Sequence, residues 1–407
     1  TDGSECRAEI TETIPIGLTF NTSIVSNSTS DQFINLVSMA TTSIDIASFY
    51  WTLIGTDVMP HPDNESLVGE KFLNSLIDSS KSRSVKIRIA VDESYMKESK
   101  HDIQLLANVA QIRQLDFNRV MGAGVLHTKF IVVDNKHFYI GSANMDWRSL
   151  THVKEMGVVL TDCQPLANDL SKIFEVYWYL GEPNATIPTQ WPQELSTNYN
   201  KSNPLSIPIN QLDYDVFMSS SPKPFNPFGR TNDIAAILSI IGRAKKFIDI
   251  AVMDYYPIFL YSKKNPFWPL IDNALKSAVI DRKVNVRLLA SQWKSTRPSM
   301  PLFLKSLAAI NDTKSFGAKI EVKLFVVPAF TPYQKSIPYA RVNHNKYMVT
   351  DETAYIGTSN WSADYFVNTG GVGIAITPRN TTSDQNLRLD LQSIFERDWS
   401  SSYARYV

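Results

Sequence analysis

Two short stretches place a histidine and a lysine where they can hold an oxyanion. His127-Thr128-Lys129 runs into Phe130-Ile131-Val132-Val133-Asp134, and His344-Asn345-Lys346 runs into Tyr347-Met348-Val349-Thr350-Asp351. Alternate residues of an extended chain share a face, so each imidazole lies beside an ammonium. Each apolar run then returns to a small polar turn, Gly141-Ser142-Ala143-Asn144 in one case and Gly357-Thr358-Ser359-Asn360 in the other. The second copy is one residue shorter between its acid and its glycine. Asp134 and Asp351, at the strand ends, read as structural acids that pair with backbone or turn groups. His344 is the only histidine after residue 152. His61, His101, His137 and His152 show no partner pattern and read as surface or satisfied core side chains. No His/Asp/Glu spacing marks a zinc or calcium site.

The elements that must position these groups occur twice. Ile44-Asp45-Ile46-Ala47 returns as Ile248-Asp249-Ile250-Ala251, and Val85 to Ala90 returns as Val284 to Leu289. Asp169-Leu170 with Ile173-Phe174-Glu175 returns as Asp390-Leu391 with Ile394-Phe395-Glu396. The offsets drift only from 199 to 221 residues, too long for a solenoid, so the chain is a duplicated domain. Each half opens with an amphipathic segment (33–40; 234–244) leading into a strand. A longer helix and a second strand follow (68–79 and 85–91; 270–279 and 284–289). Each closes with a hairpin, its first strand expected over 124–134 in copy one, and a helix ending near Phe174 or Phe395. Alternating helices and β-branched strands predict an α/β sandwich in each half. The prolines between Gly181 and Asn210 read as an extended linker. The domains are therefore 1–181, a linker over 182–210, and 211–407.

Composition narrows the class. The chain has 407 residues, 43% of them apolar, with 40 basic residues against 40 acidic ones. Zero net charge argues against a basic nucleic-acid coat or an acidic tail. No apolar run is long enough to span a bilayer, and Thr1 to Glu9 reads as neither signal nor transit peptide. Asn-x-Ser/Thr sequons begin at Asn21, Asn27, Asn64, Asn184, Asn200, Asn311, Asn360 and Asn380, which favours the secretory pathway. In an oxidising compartment Cys6 and Cys163, the only cysteines, are expected to form one disulfide that pins a short N-terminal arm.

The His-x-Lys, four residues, Asp, six residues, Gly-Ser-x-Asn pattern of copy one resembles the phospholipase D superfamily in full. Copy two departs from it by the shorter spacing and by Thr358. Ala47-Ser48-Phe49-Tyr50-Trp51-Thr52, residues 141–150 and residues 338–349 are similar to the animal endolysosomal branch, acid 5′-exonucleases of the spleen type. The resemblance implies two sandwich domains related by a pseudo-two-fold axis with one active site at their interface. It implies a luminal or secreted protein, and many members carry an N-terminal membrane anchor.

The resemblance also implies roles. One histidine attacks phosphorus, giving a phosphohistidine, and the other protonates the leaving alkoxide. Lys129, Lys346, Asn144 and Asn360 would stabilise the non-bridging oxygens. A carboxylate downstream of the motif often orients the imidazole. Glu155 fits that place, and its counterpart in copy two is Gly371. His127 is accordingly expected as nucleophile oriented by Glu155, with His344 as general acid. Neither metal nor cofactor is required. Tyr50, Trp51, Trp147 and Tyr255 are candidates to stack on substrate, with aromatic core as the equal alternative. The leading function is a 5′-exonuclease on single-stranded DNA or RNA that releases nucleoside 3′-phosphates. The alternative is hydrolysis or transphosphatidylation of phosphatidylglycerol-type lipids, including bis(monoacylglycero)phosphate synthesis. A second alternative is a catalytically inactive binding protein. No stable protein partner is inferred, and a homodimer is left open.

Overall fold

The computed structural model describes residues 5–380 and 383–407. In the first half the strands are β1 (Arg7–Thr13), β2 (Asn27–Ser28), β3 (Ser43–Ser48), β4 (Lys86–Asp92), β5 (Ala110–Leu115), β6 (Phe130–Val133), β7 (His137–Gly141) and β8 (Glu155–Thr161). They form one sheet in the order β2-β1-β8-β7-β6-β3-β4-β5. The second half contributes β9 (Leu205–Ile209), β10 (Leu212–Ser221), β11 (Phe247–Val252), β12 (Asn285–Ser291), β13 (Ile320–Phe325), β14 (Lys346–Thr350), β15 (Ala354–Gly357), β16 (Gly371–Pro378) and β17 (Ala404–Tyr406). Their order is β9-β10-β16-β15-β14-β11-β12-β13-β17, with Thr231–Asn232 beside β10. The run from β1 to β5 and the run from β10 to β13 have the same order and sense. In each, the hairpin pairs antiparallel to a strand that starts a parallel trio.

The repeated residues of the sequence explain this sameness. Asp45 on β3 takes two hydrogen bonds from Arg88 on β4, at 2.7 and 2.8 Å, and Arg88 also reaches Glu175. Asp249, Arg287 and Glu396 repeat the triad in the second half. Each triad ties two parallel strands to the helix that closes its half, α3 (Gln164–Leu180) or α6 (Leu387–Ser400). Those two helices, with the inner faces of both sheets, make one shared core. Helices α1 (Thr29–Met39) and α2 (Leu67–Arg83) cover the outer face of the first sheet, and α4 (Asp233–Arg243) and α5 (Leu270–Ile280) that of the second. Strand alternation sorts the layers, Ile44 and Ile46 facing outward and Ala47 inward.

Three expectations need correction. The closing helices run beyond Phe174 and Phe395, to Leu180 and Ser400. The linker ends at 204, because Leu205–Ile209 pairs with β10 as an edge strand. Pro208 is tolerated there since an edge has one ladder only. Residues 5–13 are not a loose arm, for β1 lies between β2 and β8 in full register from Arg7↔Thr161 to Thr13↔Glu155. Residues 1–4 and the hydroxyls of Thr381 and Thr382, which complete the Asn380 sequon, lie outside the described residues.

Cys6 and Cys163 are joined as expected, closing a separation of 157 residues. On the loop-entropy account this constraint stabilises by up to about 5 kcal/mol, less whatever strain and residual structure remove. Cys163→Ser should therefore lower Tm clearly in differential scanning calorimetry, and an unchanged Tm would contradict that account. A buried charge cluster adds to the same seam. Lys154 meets Asp398 at 2.6 Å, and Arg397 bonds both Asp398 and Glu12, so β1, the first half and α6 are locked together.

Candidate active site

The two motif stretches are stitched across the halves. His127 N–H donates to Gly370 O at 3.0 Å, and His344 N–H donates to Lys154 O at 2.8 Å. Bridges pair Leu126 with Gly370 and Lys154 with Asn343. Each is the other's image under the duplication, as a pseudo-two-fold requires. Because this pairing takes residues 126–127, the regular ladder of β6 begins only at Phe130, later than the predicted strand. Gly124 has φ +92°, and a Cβ there would lie 1.8 Å from Asn368 O. Glycine is what lets the chain pass this close to its neighbour before reaching His127.

Both histidines line one cavity of about 450 Å³, with Asn144, Asn360, Glu155, Tyr50 and Asp254. Lys129 Nζ donates to His127 O at 2.6 Å and lies 3.2 Å from His127 Nδ1. Lys346 Nζ donates to His344 O, also at 2.6 Å. All seven expected catalytic residues are therefore gathered in one place. Burial, Lys129 and Lys346 hold the His127 imidazole well below its ordinary pKa, so the ring is neutral. Burial also lowers Lys346, to about 7, against the pull of Glu155 and Asp254. Burial and the charge of Lys346 hold Lys129 well below its ordinary value too, so an anion in the cavity would favour the charged form of both lysines.

The histidines differ in what holds them. His127 Nδ1 is 3.0 Å from Thr358 O, a carbonyl of the other half that can accept a hydrogen bond from Nδ1–H, which leaves Nε2 with its lone pair. His344 Nδ1 is 2.8 Å from Glu155 Oε2. The expected pairing of Glu155 with His127 is thus wrong. β8 starts next to the bridge with Asn343, so the Glu155 carboxylate crosses the interface to the opposite histidine. Ser142 Oγ donates to the same carboxylate at 2.5 Å. At the mirrored place stands Gly371, where even a Cβ would lie 2.2 Å from Ser359 Oγ. The carbonyl of Thr358 takes over the orienting task there. Burial lowers His344 too, but Glu155 pulls it back toward the charged form.

The motif acids are structural, as their positions imply. Asp134 takes hydrogen bonds of 2.7 to 2.8 Å from the Thr41 and Thr42 amides and hydroxyls and the Ser43 amide. Burial works against ionisation there, yet these bonds hold its pKa down at about 2. Asp351 caps Lys245 and Lys246 likewise, at 3.0 Å each.

Of the four aromatic candidates only Tyr50 lines the cavity, its hydroxyl donating to Asp146 at 2.8 Å. Trp51 and Trp147 have no exposure, and Tyr255 donates to Asp272 from within the core, so these three are packing residues. Strand pairing with residues 145–146 and 361–362 turns Trp51 and Tyr255 inward. The rings that do face the site are Phe49 and Tyr365, 4.9 and 5.0 Å from the His127 ring, with Tyr95, Tyr261, Trp293 and Tyr339. Phe49 and Tyr339 lie within stretches singled out in the sequence (47–52 and 338–349); no pattern marked Tyr95, Tyr261, Trp293 or Tyr365. A second cavity of about 630 Å³ adjoins the first through Phe49, Tyr95, His127, Tyr261 and Tyr365. The two together form a continuous recess on either side of His127.

Of the other histidines, His137 Nδ1 accepts from Asp162 N, His101 contacts Asp57, and His61 is exposed. Asp63, Glu65 and His152 do cluster, away from the catalytic cavity. The Arg341 guanidinium, 3.4 Å from His152 Nδ1, already supplies a positive charge there.

A family model described as PLD3/4, PLD-like domain matches residues 21–330. The chain is 50% identical over 405 residues to 5'-3' exonuclease PLD3 of Xenopus tropicalis, covering 98% of this chain and 81% of that protein. It is 41% identical over 410 residues to 5'-3' exonuclease PLD4 of Mus musculus, covering 98% and 80%. Among solved structures, phosphatidylserine synthase of Haemophilus influenzae superposes with a TM-score of 0.60 over 93% of this chain and 85% of that one. At 12% identity that likeness concerns the fold alone.

Proposed function

The chain belongs to the PLD3/4, PLD-like domain family and is a phosphodiesterase, and on that premise we propose a metal-independent 5′-exonuclease acting on single-stranded DNA or RNA. The observation that carries the chemistry is the unequal support of two histidines facing one cavity. Neutral His127 presents Nε2 to phosphorus and forms a phosphohistidine with the 3′-phosphate of the terminal nucleoside. His344, its Nδ1–H given to Glu155, donates the Nε2 proton to the departing 5′-oxygen of the next nucleotide. Neutral again, it takes a proton from the water that attacks the phosphohistidine, and a nucleoside 3′-phosphate leaves. Lys129, Lys346, Asn144 and Asn360 surround the non-bridging oxygens, on which charge accumulates. The exonuclease names of relatives matching nearly the whole chain support the substrate class.

The disulfide and the exposed acceptor asparagines, such as Asn21, Asn64, Asn184 and Asn311, support a luminal or extracellular setting. Asn360 is not such an acceptor, being 3% exposed within the site.

The test sets single-stranded oligonucleotides beside phosphatidylglycerol vesicles, both with EDTA present. Stepwise release of mononucleotides from the 5′ end, undiminished by chelator, is the expected result. Turnover of lipid alone, or activity lost in EDTA and restored by a divalent ion, would overturn the proposal.

A further inference from the structure

One acid in the catalytic cavity has no partner. Asp254 follows β11 as Tyr50 follows β3, an offset of 204 residues that the paired strands preserve: Trp51 lies beside Met145, and Tyr255 beside Trp361. In the first half this place is saturated. The Tyr50 hydroxyl donates to Asp146, and Arg148 neutralises Asp146 at 2.9 Å. In the second half Ser362 stands where Asp146 would be, and its hydroxyl turns toward Asp364. The Asp254 carboxylate therefore lines the cavity with no hydrogen bond or ion pair among the described residues. Of the other acids lining that cavity, Glu155 is held by His344 and Ser142, and Asp146 by Arg148. Glu98 is exposed at the rim.

Asp254 is half-buried, and a carboxylate that lines a cavity without a protein partner is open to accept a hydrogen bond from a ligand there. The lining of the cavity shows where such a ligand sits, since Asp254 shares it with both histidines, Asn144 and Asn360. Lys346, which faces the phosphate, and Arg297 are the charges that act on Asp254. A substrate donor close to the scissile phosphate enters that same cavity. The sugar of the released nucleoside has such donors.

We propose, building on the exonuclease reading, that Asp254 determines specificity by accepting a hydrogen bond from a sugar hydroxyl of the terminal nucleotide and by opposing an anion at that place. The two sources of this chemistry are the terminal 5′-hydroxyl and the ribose 2′-hydroxyl. Burial raises the Asp254 pKa to about 6, so near neutral pH the group is an anion. A charged acceptor that the bound substrate covers discriminates strongly, since a substrate lacking the donor leaves it unpaired.

The experiment is a cycle between enzyme and substrate near neutral pH. The wild type, Asp254→Asn and Asp254→Ala are each given four oligonucleotides of one sequence: DNA with a 5′-hydroxyl, DNA with a 5′-hydrogen, DNA with a 5′-phosphate, and RNA with a 5′-hydroxyl. Wild-type kcat/KM is expected to fall about 10-fold or more when the recognised hydroxyl is removed, and the variants should largely lose that difference. Loss of the contrast between 5′-hydroxyl and 5′-hydrogen assigns the terminal group; loss of the contrast between RNA and DNA assigns the 2′-hydroxyl. A 5′-phosphate should be relatively better tolerated by both variants. Folding is checked by the same data, because the least preferred substrate should retain or gain rate. If all three proteins rank the four substrates alike, Asp254 has no such role even though the exonuclease reading stands. If the wild type degrades none of them, both readings fail together.

Discussion

His127→Ala should lower phosphodiester turnover by at least about 10⁴-fold, with Tm close to that of the wild type. The estimate follows from removing a covalent nucleophile whose partners remain in place, a loss that the other catalytic groups do not replace. The defect should persist with an activated substrate such as a p-nitrophenyl phosphodiester, because a better leaving group does not supply the missing nucleophile. Steady-state assays with both substrates check this. Recovery of most of the rate with the activated ester would move His127 from attack to proton donation.

Glu155→Gln should cost about 10²-fold in kcat/KM on an oligonucleotide, the usual scale for losing a group that orients and charges a catalytic imidazole. Its direction with pH can be worked out. His344 must carry a proton to act as the acid, so loss of that proton sets the alkaline limb of the profile. Burial lowers its pKa and Glu155 opposes the lowering. Removing the carboxylate charge therefore moves the alkaline limb to lower pH, and the deficit widens as pH rises. An activated leaving group needs less proton transfer, so the deficit should shrink with the p-nitrophenyl ester. An unmoved limb and an equal loss on both substrates would mean that Glu155 only supports the fold, through its bond with Ser142.

Much of this site is legible in the sequence, and the reasons differ by residue. His127, Lys129, Asn144, His344, Lys346 and Asn360 are close to one another along each copy, so the strand and its turn bring them together locally. The duplication was readable because Asp45, Arg88 and Glu175 carry a charge triad that their counterparts repeat. Partner choice across the interface was not readable. Glu155 is nearer in sequence to His127 than to His344, and only the crossing of Lys154 with Asn343 shows which imidazole it reaches. The aromatic residues stayed undecided between stacking and core for a related reason. Tyr50, Trp51 and Tyr255 are neighbours or equivalents in sequence, but alternation along an extended chain sends Tyr50 into the cavity and Trp51 into the core. Pro208 argued for linker where an edge strand forms, since proline excludes a central strand and not an edge one.

The central claim is that the two halves share one site in which His127 forms the covalent bond and His344 moves the proton. The most direct measurement is rapid acid-free quenching of the enzyme during turnover of a labelled oligonucleotide, followed by peptide mapping of the modified residue by mass spectrometry. His344→Ala, which retains the nucleophile but slows hydrolysis of the intermediate, should accumulate the label when given an activated ester. The account predicts a nucleoside 3′-phosphate attached to the peptide that contains His127. Label on the His344 peptide in the wild type, with none on that of His127, would contradict it.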